Sequence, residues 1–323
     1  MRTILLNDTR SNGHVGCNLV IENTLAECRR VGMDVIDTVP NSASDDAAIV
    51  KRRVDDYDLL LVNGEGSMHD DRPKAIEMAR AAAVAKKQGK RVVLFNTVWQ
   101  HNHELNEFLP AFDQIYCRES YSKQAIQQAG ATAAVVPDMT FATVVEPLEG
   151  PGNDIAVLDS FDRRTTLRLA WRSAIHGYHY MPMDVRHFHK VSKRWLPTML
   201  LRLRSPDHFC TPADRFLERL AQREAVLTPR FHGLCLLLLL ERPFVSVASN
   251  TFKTEGMFSD IGIDPALIAP LTDTFRYLNR RRLLERAGEA TQYLPQIRQY
   301  KAAARQQIRE MFHTIVGSQR AVA

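Results

Sequence analysis

Short apolar runs alternate with longer periodic segments along the first half of this chain. Ile4–Asn7, Met33–Thr38, Asp58–Val62, Arg91–Asn96 and Gln114–Cys117 are runs of four to six residues. Runs of that length, closed by polar or glycine-containing turns, predict buried strands. Between them the apolar spacing predicts helices over about residues 18–31, 45–54, 73–88 and 120–130. Pro73 suits the first turn of the third helix and Gly89 its C-terminal cap.

The pattern breaks at Glu146–Asn153, where two prolines and two glycines predict a linker between domains. It then resumes. Ile155–Asp159, Ala225–Thr228 and Phe244–Ala248 read as strands, Leu234–Leu240 as a buried helix, and Arg282–His313 as largely helical. Two series of strand–helix units with short connections predict the α/β class. The expected architecture is two Rossmann-like doubly wound domains facing a cleft, residues 1–148 and 149–323, which is the arrangement of B-type glycosyltransferases.

With 323 residues, 45% hydrophobic and 24% charged, the composition is that of a soluble globular protein. The N-terminus turns polar after a few apolar residues, so it reads as a strand rather than a secretory signal. No stretch has the length of a membrane span. Five widely spaced cysteines without a Cys-x-x-Cys pair fit reduced thiols in a cytoplasm and offer no zinc pattern. The pairs His101/His103, His176/His179 and His187/His189 lack clustered cysteines or carboxylates, so no metal site is expected.

The net charge of +5 changes the picture only locally. Residues 163–204 hold ten Lys and Arg against one acid, Asp184, while the remainder has 32 bases against 36 acids. A patch of that kind points to an anionic partner on one face and away from general coating of nucleic acid. Tyr178, Tyr180, Phe188 and Trp195 among these basic residues suit stacking on nucleic acid, the apolar run Leu196–Leu203 suits peripheral contact with an anionic membrane surface, and a plain solvated outer face is the remaining reading.

The candidate chemistry sits where strands end. Arg230 and His232 fall between a strand and the start of a helix, where free backbone N–H groups and the helix dipole favour an anion, and Gly233 permits close approach. Asn250 and Lys253 follow the next strand and belong to the same sheet edge. Asn63, Gly64, Glu65, Gly66 and His69 form the loop after the third strand. Two glycines there allow a tight turn, though the third glycine of the dinucleotide fingerprint is missing. Asn12 and His14 lie in the first loop, where His14 and Asn18 are expected to be exposed. Arg118 follows the fifth strand, either reaching the cleft or pairing with Glu119.

Arg230-Phe-His-Gly, the apolar helix after it, the strand led by Pro243 and Asn250-x-x-Lys253 resemble the signature of the polysaccharide pyruvyl transferase family. Asn63-Gly-Glu-Gly, Arg118-Glu-Ser and Pro137-Asp138 resemble further elements of it in the same order. Glu65, Glu119 and Thr97-Val-Trp-Gln depart from its usual residues. The resemblance implies transfer of pyruvyl from phosphoenolpyruvate to two hydroxyls of a cell-surface polysaccharide sugar, forming a ketal and releasing phosphate. It implies no cofactor beyond phosphoenolpyruvate as donor substrate. Its catalytic residues would be His232, Arg230 and Glu65, with Lys253, Asn250, Arg118, Asn63, Gly64, Gly66, His69, Asn12 and His14 binding substrate. A lipid-linked acceptor and a place at the inner membrane face accord with the basic segment. The competing readings are a B-type glycosyltransferase using a nucleotide-sugar, and a non-catalytic module binding anionic glycans or nucleic acid.

Overall fold

The computed structural model describes residues 1–145, 152–184 and 213–317. Most of the expected linker and the basic residues 185–204, with Phe188, Trp195 and Leu196–Leu203, lie outside the described residues.

Two fully parallel sheets organise the chain. The first contains β1 (Arg2–Asp8), β2 (Asp34–Pro40), β3 (Leu59–Asn63), β4 (Arg91–Thr97), β5 (Gln114–Cys117) and β6 (Ala134–Val135), in the order β2-β1-β3-β4-β5-β6. The second contains β7 (Asp154–Leu158), β8 (His179–Met181), β9 (Arg223–Thr228), β10 (Phe244–Val247) and β11 (Ile268–Ala269), in the order β11-β10-β9-β7-β8. Each sheet therefore grows in both directions from its first strand. At such a switch point, between β1 and β3 or between β7 and β9, connections leave on opposite faces and open a crevice at the carboxyl ends.

Side-chain alternation decides what each face of the first sheet meets. Leu5, Leu59, Leu61, Val93 and Phe95 join a core that also takes in Ala156, Leu158 and Val226 of the second sheet. Ile4, Leu6, Leu60, Val62, Val92 and Leu94 face a separate core with the Ala-rich helix Pro73–Lys87. Between the sheets runs the helix Phe231–Leu240, every residue of which is buried. That explains its lack of a polar face, since a helix apolar all round has to be enclosed.

One expected helix differs from its sequence reading. The first begins at Val15 rather than residue 18, because His14 caps it, its Nδ1 accepting from the N–H groups of Gly16 and Cys17. The stretch expected to be largely helical over 282–313 is so, as two helices, Arg280–Thr291 and Leu294–Gly317. Pro295 lacks an N–H and is tolerated only in the first turn of the second. That second helix leans on both halves: Lys301 Nζ donates to Leu239 O at 2.6 Å and Arg305 Nη2 to Thr143 O at 3.2 Å.

Candidate active site

Residues that follow β3 and β9 line one cavity of about 230 Å3. From the second half come Arg230, Phe231, His232, Asn250 and Lys253; from the first come His14, Cys17, Glu65, Gly66, Arg72 and Arg118. The switch-point crevices of the two sheets thus share one space.

His232 lies in the first turn of the helix Phe231–Leu240, only 9% exposed. Its Nε2 is 3.5 Å from Glu65 Oε1 and 3.6 Å from Asp138 Oδ2. Both are ion-pair contacts rather than hydrogen bonds, and this nitrogen has no hydrogen-bond partner among the described residues. The same holds for Arg118 Nε and Arg230 Nε. These three buried polar atoms around one cavity are available to a ligand.

Each of the groups around His232 is held from behind. Glu65 Oε2 accepts from Thr9 Oγ1 at 2.8 Å, and Glu65 N donates to Asn63 Oδ1 at 3.2 Å. Asp138 Oδ2 accepts from Arg118 Nη1 at 2.9 Å, while its Oδ1 accepts from Thr140 N and Oγ1 at 2.9 and 2.8 Å. Burial alone would raise the Asp138 carboxyl, but His232, Arg118 and the Thr140 N–H outweigh it and hold the group well below the usual carboxylate range. Arg230 is paired through Nη2 with buried Asp159 at the end of β7. Burial opposes its charge, yet Asp159 more than restores it, so the guanidinium stays a cation.

Basic side chains outnumber acidic ones at the cavity lining. Arg118 and Lys253 both lie against the Phe231 ring, 4.8 and 5.8 Å from its centre. Lys253 Nζ donates to Asn250 Oδ1 at 3.0 Å. Burial, then repulsion from Arg118, Arg230 and Arg72, pulls its pKa down to about 7. A lysine so destabilised as a cation gains from any anion that enters.

Of the residues expected from sequence, the structure brings His232, Arg230, Glu65, Lys253, Asn250, Arg118, Gly66 and His14 to the cavity lining. Asn63, Gly64, His69 and Asn12 do not line it. Asn63 is a scaffold, its Nδ2 donating to Asn7 O at 3.2 Å. Gly64 is forced by packing, since a Cβ there would overlap the Thr97 side chain. His69 is buried with its Nδ1 2.6 Å from Asp70 Oδ2. Asn12 ends a 3-10 turn, Thr9–Asn12. His14 is buried rather than exposed, and Asn18 is half-buried, because the helix they open packs inward. Arg118 reaches the cavity and pairs with Asp138; Glu119 instead caps the helix Ser120–Gln128.

Sequence reasoning missed Cys17, Arg72 and Phe161 at the lining and Asp159 behind it, and it named Asp138 only within the Pro137-Asp138 element, without a role at the site. Asp159, at the end of a buried strand, carried the same signal as Asn63. Cys17 also creates the one His/Cys grouping among the described residues: ligand atoms of His14, Cys17 and His232 lie within 4.8 Å of one another. The donor set suits an ion poorly. His14 Nδ1 accepts from two N–H groups, which leaves the ring proton on Nε2, and burial with nearby Glu65 pushes the Cys17 thiol far up.

The sequence profile of polysaccharide pyruvyl transferases matches residues 14–251. The chain belongs to that family. The match spans the cavity lining from His14 to Asn250 and leaves only Lys253 beyond it. Members of this family are transferases that modify polysaccharides, so this chain is a transferase.

Among solved structures, MurG of Acinetobacter baumannii aligns with TM-score 0.57 and 11% identity, over 97% of this chain and 100% of that one. A functionally uncharacterized protein of Klebsiella pneumoniae aligns with TM-score 0.48 and 12% identity, over 84% and 92%. The ADP-heptose LPS heptosyltransferase II of E. coli gives TM-score 0.38 and 11% identity, over 92% and 99%. At such identities the likeness to MurG speaks for the fold, which is glycosyltransferase-B-like. No curated protein sequence matches the chain. No helix among the described residues is long and apolar enough to cross a membrane.

Proposed function

We propose that the chain transfers the pyruvyl group of phosphoenolpyruvate to two hydroxyls of a saccharide, forming a cyclic ketal and releasing phosphate. One observation carries this reading. His232 stands between Glu65 and Asp138 on the wall of a cavity that also holds Arg72, Arg118, Arg230 and Lys253. Three arginines, with a lysine that an entering anion would hold as a cation, suit a small donor bearing a carboxylate and a phosphate.

In this reading the cations bind the donor, and His232 delivers a proton to its terminal methylene carbon. The positive charge that develops at the central carbon is captured by a first sugar hydroxyl, whose proton passes to Glu65. Loss of phosphate regenerates a cation, and a second hydroxyl closes the ketal. Of the two hydroxyl protons, one balances the new methyl group and the other leaves with phosphate. Asp138, held ionised, stabilises the protonated imidazole before it gives up its proton.

The fold favours a second reading, in which a nucleotide-sugar is the donor and the same cations hold its diphosphate. Calorimetric titration of phosphoenolpyruvate and a nucleoside-diphosphate panel into wild-type and Arg230→Ala protein separates the two. Phosphoenolpyruvate binding that the substitution abolishes, followed by saccharide-dependent phosphate release, is the expected result. Tight nucleotide binding with none of phosphoenolpyruvate would overturn it.

A further inference from the structure

We infer that the outer face of the helix Arg163–His176 lies on an anionic lipid surface and brings the cavity mouth to the membrane plane. The helix buries Thr166, Leu169, Ala170 and Ser173 against its own half. On the opposite side Leu167, Trp171 and Ile175, spaced four residues apart, form one stripe and are 41, 56 and 65% exposed. Among the described residues five large apolar side chains are exposed, and Phe161, Leu167, Trp171 and Ile175 are four of them. Isolated exposed apolar residues are ordinary, whereas a contiguous stripe on one helix is a contact surface.

Charge selects the occupant. Arg163, Arg164, Arg168 and Arg172 are exposed beside the stripe, and residues 163–176 contain no Asp or Glu. A helix meeting only water would mix both signs. An indole and two aliphatic chains beside arginines instead match the layered chemistry of an anionic bilayer, with apolar groups at the acyl boundary and guanidinium groups among the phosphates.

Position ties this face to the site. The helix is capped by Asp162, whose Oδ2 accepts from Thr165 N at 2.6 Å, and three residues separate its start from Asp159, the partner of Arg230. Phe161, at the head of the helix, also lines the cavity. A surface that carries the stripe therefore lies beside the cavity entrance, where a lipid-linked saccharide would present its sugars. The docking itself does not depend on which donor the cavity takes.

The test is sedimentation of the full chain with vesicles of phosphatidylcholine alone or with added phosphatidylglycerol. Partition should rise with the anionic lipid, fall several-fold with salt, and drop about tenfold in Trp171→Ser/Ile175→Ser. Arg163→Gln/Arg164→Gln should weaken it several-fold. Unchanged thermal midpoints in both variants would show that the loss is not unfolding. Equal binding to neutral vesicles, binding indifferent to the apolar pair, or a concentration-dependent dimer that those substitutions abolish without any vesicle binding would each overturn the proposal.

Discussion

His232 Nε2 lies 3.5 Å from Glu65 Oε1, and the two residues hang from different sheets. Each is positioned by its own half: Glu65 by Thr9 and Asn63, His232 by the first turn of a wholly buried helix. The pair is therefore a product of how the halves meet.

If these two groups handle the protons together, His232→Asn and Glu65→Gln should each lower kcat by about 10²–10⁴, the usual range for general acid–base groups. Their effects should not multiply, because groups that act as a unit are non-additive. Saccharide-dependent phosphate release measured on both single variants and the double variant checks this. A double variant slower by the product of the two would mean independent roles.

Lys253 makes anion binding pH-dependent. In the empty site its pKa is about 7, so it is a cation below that pH and neutral above. A bound anion favours the cation, so affinity for phosphoenolpyruvate should fall as pH rises through 7, approaching tenfold per unit. The donor's own phosphate ionises lower, near about pH 6. Titrations from pH 6.5 to 8.5 should show the fall in wild type and a flat profile in Lys253→Met.

Asp159 is buried and Arg230 nearly so, which makes the pair costly to break on one side. Asp159→Ala should destabilise the fold by roughly 3–5 kcal/mol, because it strands a buried cation. Replacing both, as Arg230→Met/Asp159→Leu, should recover much of that loss while abolishing donor binding. Urea unfolding beside calorimetry would show whether stability and binding part in this way.

A Cβ on Gly16 would overlap the His232 side chain. Gly16→Ala should therefore displace His232 and cost about 1–3 kcal/mol from overpacking. The expected kinetic mark is a loss in kcat with donor affinity retained. Wild-type turnover in this variant would show that His232 tolerates movement.

Much of this was readable in the sequence. Glu65, Arg118, Arg230 and Lys253 each follow a short apolar run, and a polar residue just past a buried parallel strand falls on the edge where ligands bind. What sequence could not supply were partners brought together by folding. Asp159 stands 71 positions from Arg230, and Asp138 is 20 positions from Arg118. The helix start at Val15 was hidden because its cap is a histidine rather than one of the usual Ser, Thr, Asp or Asn. Arg72 escaped because an arginine just before the proline that opens a helix carries no local mark of a site.

The helix Leu294–Gly317 has a mechanical consequence. It leaves the second half beside Leu239 and Glu241 and ends against the first, where Phe312 meets the Phe95 ring edge-on at 6.3 Å and Arg91 donates to Ile315 O. A strut fixed at both ends restrains how far the halves can swing apart. The same brace helps hold the separation between Glu65 and His232, which hang from different halves.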